Sequence, residues 1–267
     1  LAVDYYVSIL QHNNNYDAAY IGIADSLYRN GEYNDAMQYY KSAYDTASYS
    51  KAYQQYRKEW IEDWVLLVPA VIIIACVLIS LFFKYANKVN KAGHAYKEKR
   101  TLKEELLYAF HVIFHPFDGF WDLKHEKRGS LRGAIFHVAL ACVTVIYNSV
   151  GMAYIFNPYS VYSGNTFNML YTVAMVVVPL ALWCVANWCV TTLFDGEGTL
   201  KDIFIATSYS LLPLTLTLIP ITILSNVAVE GEGSMLTLVS TIGFIWVGLL
   251  IFFGTMTTHG YSMGKNI

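Results

Sequence analysis

The chain has 267 residues, of which 55% are hydrophobic and only 14% are charged, with a formal net charge of −2. Soluble domains carry about 25% charged residues, so this composition excludes an ordinary soluble globular protein and indicates a membrane protein. The charges are also segregated, because 11 of the 18 Lys and Arg residues lie between Lys84 and Arg132.

Residues 1–63 are polar and rich in tyrosine, and they predict a helical arm. Residues 19–45 resemble one tetratricopeptide repeat, a two-helix unit of about 34 residues. The positions that carry the pattern are Tyr20, Ile23, Ala24 and Leu27 in the first helix, Gly31 and Tyr33 in the turn, and Ala36, Tyr40 and Ala43 in the second helix. An ordinary helical hairpin is the alternative.

The same spacing predicts that the chain opens on the second helix of a preceding repeat. Ala2 then corresponds to Ala36, and Tyr6 to Tyr40. Because such arrays need about three units to be stable, we expect further sequence upstream of Leu1.

Repeat arrays present concave binding surfaces, so we expect the arm to bind a protein partner. The tyrosines assigned to this contact are Tyr20, Tyr28, Tyr39 and Tyr44. Stacking of tyrosines on sugars is the alternative.

The segment Trp64–Ala86 predicts the first membrane span, preceded by a helix over 51–63. It carries no charge before Lys84, and its apolar run is about 20 residues, the length that crosses a bilayer as a helix. The basic residues that follow predict a cytoplasmic C-terminal flank. The arm is therefore expected to be extracytoplasmic.

Four further spans are predicted at about 131–156, 167–193, 203–225 and 236–258. The connections 157–166 and 226–235 contain no Lys or Arg, whereas 195–202 contains Lys201. Five spans with the C-terminus inside satisfy this pattern. Prolines at 179, 213 and 220 are expected to kink the helices, and half-crossings between 203 and 229 are the alternative.

Residues 87–130 form the predicted cytoplasmic connector. Thr101 and Glu104 predict a capping box at the start of a helix, and Pro116 predicts its end. The following aromatic and basic residues suit a helix in the membrane interface, with a basic site for a partner protein as the alternative. The residues expected at the lipid interface are Lys97, Lys99, Arg100, Trp121, Lys124, Lys127 and Arg128.

No motif in the sequence predicts catalysis or a cofactor. His111 and His115, with Asp118, are weak candidates for a metal site, because Pro116 interrupts the helix and no Glu follows the first His. Within the later spans we identify His137 as the ionisable side chain, which argues against an ion-coupled carrier. A narrow pore lined by His137, Asn148 and Asn187 is the alternative.

The four cysteines, Cys76, Cys142, Cys184 and Cys189, all lie in apolar runs. Their spacing predicts neither a disulfide framework nor a zinc site. The glycines of the segment DGEGT lack the Gly-Lys-Ser/Thr that a phosphate-binding loop needs.

From about residue 103 to the C-terminus, the chain resembles the Yip family of Ypt-interacting membrane proteins. The resemblance is carried by HPFDGFWDLKHEKRGSLRGA, by the five-span pattern, and by FDGEGTLKDIFIATSYSLLPL with its Tyr209 and Pro213. The Asp-Leu-Tyr-Gly-Pro signature of eukaryotic members is absent, so Rab-GTPase binding does not carry over. An outer repeat arm, one span and a Yip-type bundle are similar to bacterial members.

The resemblance implies an all-α polytopic membrane protein with four parts: an arm (1–63), a span (64–86), a basic connector (87–130) and a Yip-like bundle (131–267). Genes of bacterial members often stand beside those of carbohydrate ABC importers. The expected function is therefore a non-enzymatic accessory or scaffold subunit of such a complex in the bacterial plasma membrane, contacting permease and extracellular binding components as well as lipid. The alternatives are an independent transporter or channel, a membrane-shaping or trafficking protein, and a membrane enzyme using His111, His115 and Asp118.

Overall fold

The computed structural model of the chain describes residues 2–92, 100–158, 167–191 and 196–265, and these contain helices but no β-strand. The α-helices are α1 Ala2–His12, α2 Asp17–Arg29, α3 Tyr33–Ser42, α4 Thr46–Asp63, α5 Leu67–Ala92, α6 Leu102–Phe114, α7 Pro116–His125, α8 Leu131–Gly151, α9 Met169–Thr191, α10 Leu200–Tyr209, α11 Leu212–Ser225 and α12 Gly233–His259. Short 3-10 turns lie at Glu230–Glu232 and Met263–Lys265.

Five stretches of the described chain are long and apolar enough to cross a membrane, which is the predicted number. They are Leu67–Lys91, Leu131–Gly151, Met169–Thr191, Leu200–Ser225 and Glu230–His259. None of the 18 most apolar consecutive residues of Leu67–Lys91 is buried inside the protein. In Leu200–Ser225, 61% of the corresponding residues are buried. The first span thus presents its apolar side chains outward, and Leu200–Ser225 packs inside the protein.

Prolines account for the places where the helices break. The first span begins at Leu67 rather than Trp64, because Pro69 has no N–H and would clash with the carbonyl of Val65 in a helix continuous with α4. Pro213 acts in the same way at the start of α11, and α10 ends at Tyr209. Pro116 is the first residue of α7, as predicted. By contrast, Pro179 and Pro220 lie inside α9 and α11 without ending them.

The chain forms two compact units. The arm unit comprises Leu1–Ala75, Val150–Phe167 and Thr222–Leu236, and the bundle unit comprises Cys76–Ser149, Asn168–Ile221 and Thr237–Ile267. The arm unit therefore contains more than helices α1–α4, because the segments that follow α8 and α11 fold with them.

The core of helices α2–α4 consists of small residues and a buried tyrosine. Ala24, Ala36 and Ala52 are fully buried and let the three helices approach closely. The hydroxyl of Tyr40 donates to Asp25 Oδ1 at 2.7 Å, and burial together with this bond raises the pKa of Tyr40. Gly31 has φ +84° in the turn between α2 and α3, a conformation that glycine adopts without strain. The assignment of these helices to tetratricopeptide repeats stays a prediction.

The bundle unit has a core shared by α6, α7, α8, α10, α11 and α12. Its buried residues are Tyr108, Ala109, Val112, Ile113, Phe120, Leu123, Ala134, Ile205, Ala206, Tyr209, Leu212 and Leu250. The predicted capping box of Thr101 and Glu104 is present at the start of α6.

Glu105 of α6 is bonded to α8 through its side chain and to α10 through its backbone carbonyl. Glu105 of α6 is 4% exposed and accepts from Ser130 Oγ at 2.5 Å and Arg132 Nη2 at 2.9 Å. Tyr209 of α10 donates its hydroxyl to the Glu105 carbonyl at 3.1 Å. A Cβ on Gly133 would lie 2.7 Å from that hydroxyl, so glycine is required where α8 passes Tyr209.

We predict that Tyr209→Phe destabilises the bundle unit. The variant keeps the ring but removes the hydroxyl that satisfies the buried Glu105 carbonyl, which costs about 1–2 kcal/mol. In thermal unfolding of the purified protein, we expect a melting temperature lower by about 2–6 °C. Tyr171→Phe is the matched control, since Tyr171 is 64% exposed; equal melting temperatures for the two variants would contradict the assignment.

Candidate functional site

Helix α4 is anchored along one face to the segment between α11 and α12 within the arm unit. The helix begins at Thr46, where the side chain of Asp45 accepts the Ser48 N–H at 2.9 Å. Ser50, Tyr53 and Arg57 follow at intervals of three and four residues, which places them on one side of a helix. We call this contact of α4 with residues 226–232 the arm clamp.

Arg57 makes the strongest contacts of the arm clamp. Its guanidinium donates to both carboxylate oxygens of Glu232, at 2.8 and 3.1 Å, and to the Val227 carbonyl at 2.8 Å. Paired N–H bonds of this kind fix the geometry as well as adding energy. The two side chains are 22% and 46% exposed, so solvent screens the pair in part. The bond to Glu232 raises the pKa of Arg57.

Two neutral hydrogen bonds extend the arm clamp along α4. The Tyr53 hydroxyl donates to the Asn226 carbonyl at 2.9 Å, and the Ser50 hydroxyl accepts the Glu230 N–H at 2.9 Å. These bonds satisfy two further backbone groups of an irregular segment. The clamp therefore orders the segment as well as holding the arm.

The segment after α11 is in turn bonded to the segment after α8. Asn226 Nδ2 donates to the Gly151 carbonyl at 2.8 Å. The Ser225 hydroxyl accepts the Ala153 N–H at 3.0 Å. The arm helices and both segments thus form one hydrogen-bonded unit.

The tyrosines predicted to bind a partner have different immediate surroundings, and their role in binding stays a prediction. Tyr20 and Tyr39 approach each other, with ring centroids 6.4 Å apart, and the Tyr20 hydroxyl donates to the Asn14 carbonyl at 3.1 Å. Tyr28 instead packs against Tyr33, at 5.3 Å. Tyr44 is 43% exposed and adopts φ +55° after α3.

The residues considered for a metal site lie around the junction of α6 and α7. The rings of His111 and His115 stack at 4.7 Å, and His115 ends α6 directly before Pro116. Asp118 lies in the first turn of α7. Among the described residues, no three His, Cys, Asp or Glu side chains are grouped to hold a metal ion.

The predicted interfacial residues have different environments. Lys97 and Lys99 lie outside the described residues. Trp121 is 49% exposed with His125 stacked on it at 4.6 Å, and Lys124 pairs with Glu197 at 3.1 Å.

The remaining interfacial residues lie at the two ends of the connector. The Arg100 carbonyl accepts from Arg132 at 2.5 Å, and Lys127 has φ +49° directly after α7. Arg128 is 2% exposed; it pairs with Glu126 at 2.9 Å and lies 4.8 Å from the centre of the Tyr108 ring. Arg128 thus packs into the connector.

The membrane helices contain more ionisable groups than His137. Arg132 is in the first turn of α8, and His259 ends α12, so the sequence-based identification of His137 alone was incomplete. His259 contacts Asn187 at 2.8 Å and accepts the Gly198 N–H at Nδ1, at 3.2 Å. A Cβ on Gly198 would lie 2.7 Å from the His259 ring. Packing against His259 therefore accounts for this glycine, and no phosphate-binding role is needed to explain it.

The model of one protein family, the Yip1 domain, matches residues 110–267, more than half of the chain. The match begins inside α6 and includes both segments to which the arm is bonded, while α1–α5 lie outside it. No curated protein and no solved structure matches the chain.

We predict that Arg57 and Glu232 are energetically coupled. In a double-mutant cycle of Arg57→Ala, Glu232→Ala and the double variant, the coupling should be about 1–2 kcal/mol, above the usual range for an isolated exposed pair because the contact is bidentate. The readout is hydrogen exchange at residues 226–232, which should accelerate in each single variant. Lys58→Ala is the control, since Lys58 is the exposed neighbour of Arg57; additive effects of the two substitutions would contradict the clamp.

Proposed function

The chain belongs to the Yip1 domain family, and on that premise we propose that it is a non-enzymatic accessory subunit that holds a membrane complex together. The proposed complex is a carbohydrate ABC importer of the bacterial plasma membrane. In this proposal the arm contacts an extracellular binding component, and the membrane helices pack on the permease.

The arm clamp is the observation that supports this role best. Five hydrogen bonds, two of which form the Arg57–Glu232 ion pair, fix α4 to residues 226–232, which belong to the Yip1 domain. A binding arm on a flexible linker would not hold its partner at one position. An arm whose helix α4 is bonded to residues 226–232 holds a bound partner at a defined place relative to that segment, as a scaffold subunit requires.

The clamp also supports the proposed orientation. Helices α1–α4 and the segments after α8 and α11 belong to one compact unit, so they are expected on the same side of the membrane. The described residues 150–158 and the segment 226–235 contain no Lys or Arg. The positive-inside rule then favours an extracytoplasmic arm and a cytoplasmic connector.

In this proposal the buried carboxylates of the bundle unit have structural roles. Asp122 accepts from Tyr108 at 2.6 Å, and Glu105 pairs with Arg132 at 2.9 Å. Both carboxylates are buried and bonded to neighbouring helices, which is how structural carboxylates are held in protein interiors.

An independent small-solute transporter is the second candidate, because the buried His137 ring of the bundle unit is unsatisfied. His137 is 4% exposed, and neither ring nitrogen has a hydrogen-bond partner among the described residues. Buried polar groups without partners in membrane helices often mark a pathway. Solute flux into liposomes containing only this protein would favour this candidate over the accessory role.

We predict that the tagged chain, purified from native membranes in mild detergent, recovers permease and solute-binding subunits of a carbohydrate importer. Tyr44→Asn should weaken this recovery about tenfold, since aromatic residues dominate interface energetics and Asn tolerates the positive φ at this position. The recovered subunits are identified and quantified by mass spectrometry.

Tyr16→Asn is the control, because Tyr16 is also an exposed arm tyrosine, at 47%, and Asn suits its position before α2. Recovery of no transporter subunit by the unmodified chain would refute the importer assignment. Equal loss in both tyrosine variants would refute the role of Tyr44.

A further inference from the structure

A cleft of about 470 Å³ lies within the arm unit, next to the arm clamp. Small-molecule sites in proteins typically have volumes of about 300–1,000 Å³, so the cleft is large enough for a polar ligand. Its lining residues include Lys41, Tyr49, Tyr154, Asn157, Ser225 and Asn226. They come from α3, α4 and the segments after α8 and α11.

The walls of the cleft combine aromatic rings with one positive charge. The rings of Tyr49 and Tyr154 meet edge to face with centroids 5.0 Å apart, and Lys41 Nζ lies 5.6 Å from the centre of the Tyr154 ring. Tyr154 is 8% exposed, so this wall is fixed by packing. No Asp or Glu is among the described lining residues, and the cleft therefore favours a ligand with negative charge.

The polar side chains Asn157, Ser225 and Asn226 line the cleft at the end of α11 and in the segments after α8 and α11. The Ser225 hydroxyl is already bonded to the Thr222 carbonyl and the Ala153 N–H. The Tyr53 hydroxyl and the Asn226 amide are held in place by the bonds of the arm clamp and of the segment after α8. A ligand that combines an anion with hydroxyl groups matches this mixture of one cation, amides and aromatic faces.

The cleft lies where two candidate spans end. Gly151 is the last residue of the span Leu131–Gly151, and Ser225 is the last residue of the span Leu200–Ser225. Both residues line the cleft. Tyrosines and lysines collect at the depth where hydrocarbon gives way to water, and at this depth the abundant anion is the phosphate of lipid head groups.

We propose that this cleft binds a phosphorylated glycerol group, with the Lys41 ammonium bonded to the phosphate and the Tyr49 and Tyr154 rings packed against the glycerol carbons. The group can come from a phospholipid of the surrounding leaflet or from a soluble glycerol phosphate. The site does not depend on association with an importer, so the two proposals fail separately.

The location of the site distinguishes it from the basic connector. Lys88, Lys91 and Lys103 are exposed and attract anionic lipid through charge in general. In the cleft a single lysine acts together with packed aromatic rings and a shaped wall. Binding at the cleft should therefore depend on Lys41 much more than on other lysines of the arm.

The test measures binding to the purified full-length protein by native mass spectrometry with three probes: phosphatidylglycerol, a neutral galactosyl diacylglycerol, and soluble glycerol 3-phosphate. We expect phosphatidylglycerol to bind more tightly than the neutral lipid. Lys41→Met should weaken this binding about tenfold, the effect of losing one charge-assisted hydrogen bond. Lys41→Arg should retain it, and Asn157→Asp, which introduces a negative charge into the cleft, should weaken it.

Lys51→Met is the matched control, because Lys51 is an exposed lysine of α4 and does not line the cleft. Binding of glycerol 3-phosphate with the same dependence on Lys41 would support the site and assign it to a soluble ligand. Equal binding by the wild type, Lys41→Met and Lys51→Met would overturn the proposal. Equal binding of the neutral lipid and phosphatidylglycerol would also overturn it.

Discussion

The ion pair between Arg57 and Glu232 is the contact on which the arrangement of the arm depends. It joins positions 175 residues apart in the chain, and Arg57 also binds the backbone at Val227. Without Arg57, the described contacts of the arm clamp would be reduced to the neutral bonds of Tyr53 and Ser50. The ion pair bonds α4 to the segment between α11 and α12. A helix that precedes the family domain in the chain therefore orders a segment within that domain.

A second constraint acts within the bundle unit. Polar groups buried in an apolar setting must be satisfied within the protein, and the bundle meets this requirement with a few concentrated contacts. Glu105 is bonded to Ser130 and Arg132, and Asp122 is bonded to Tyr108. These contacts join the connector helices α6 and α7 to their neighbours. The connector, whose sequence favours an interfacial helix, therefore contributes two helices to the core of the family domain.

Periodicity and proline positions account for what the sequence predicts well. The five spans, the capping box at Thr101 and the break at Pro116 are local features, each decided by residues within a few turns. The arm clamp could not be predicted, because Glu232 and Asn226 lie in irregular segments without a repeating pattern. The spacing of Ser50, Tyr53 and Arg57 indicates a common helix face, but nothing in it identifies the partner. Pro69 carries a local signal for a helix break that the sequence interpretation missed, whereas Pro213, which was expected to kink a helix, lies where α10 and α11 separate.

Oxidative cross-linking between position 50 and position 230 tests the central claim, that α4 is bonded to the segment between α11 and α12, most directly. The Ser50 hydroxyl lies 2.9 Å from the Glu230 nitrogen, so cysteines at these two positions are near the separation that a disulfide spans. In native membranes, with the four natural cysteines replaced, the Ser50→Cys/Glu230→Cys pair should form an intramolecular disulfide, and the Lys58→Cys/Glu230→Cys pair should not. Equal cross-linking of the two pairs, or none in either, would contradict an anchored arm.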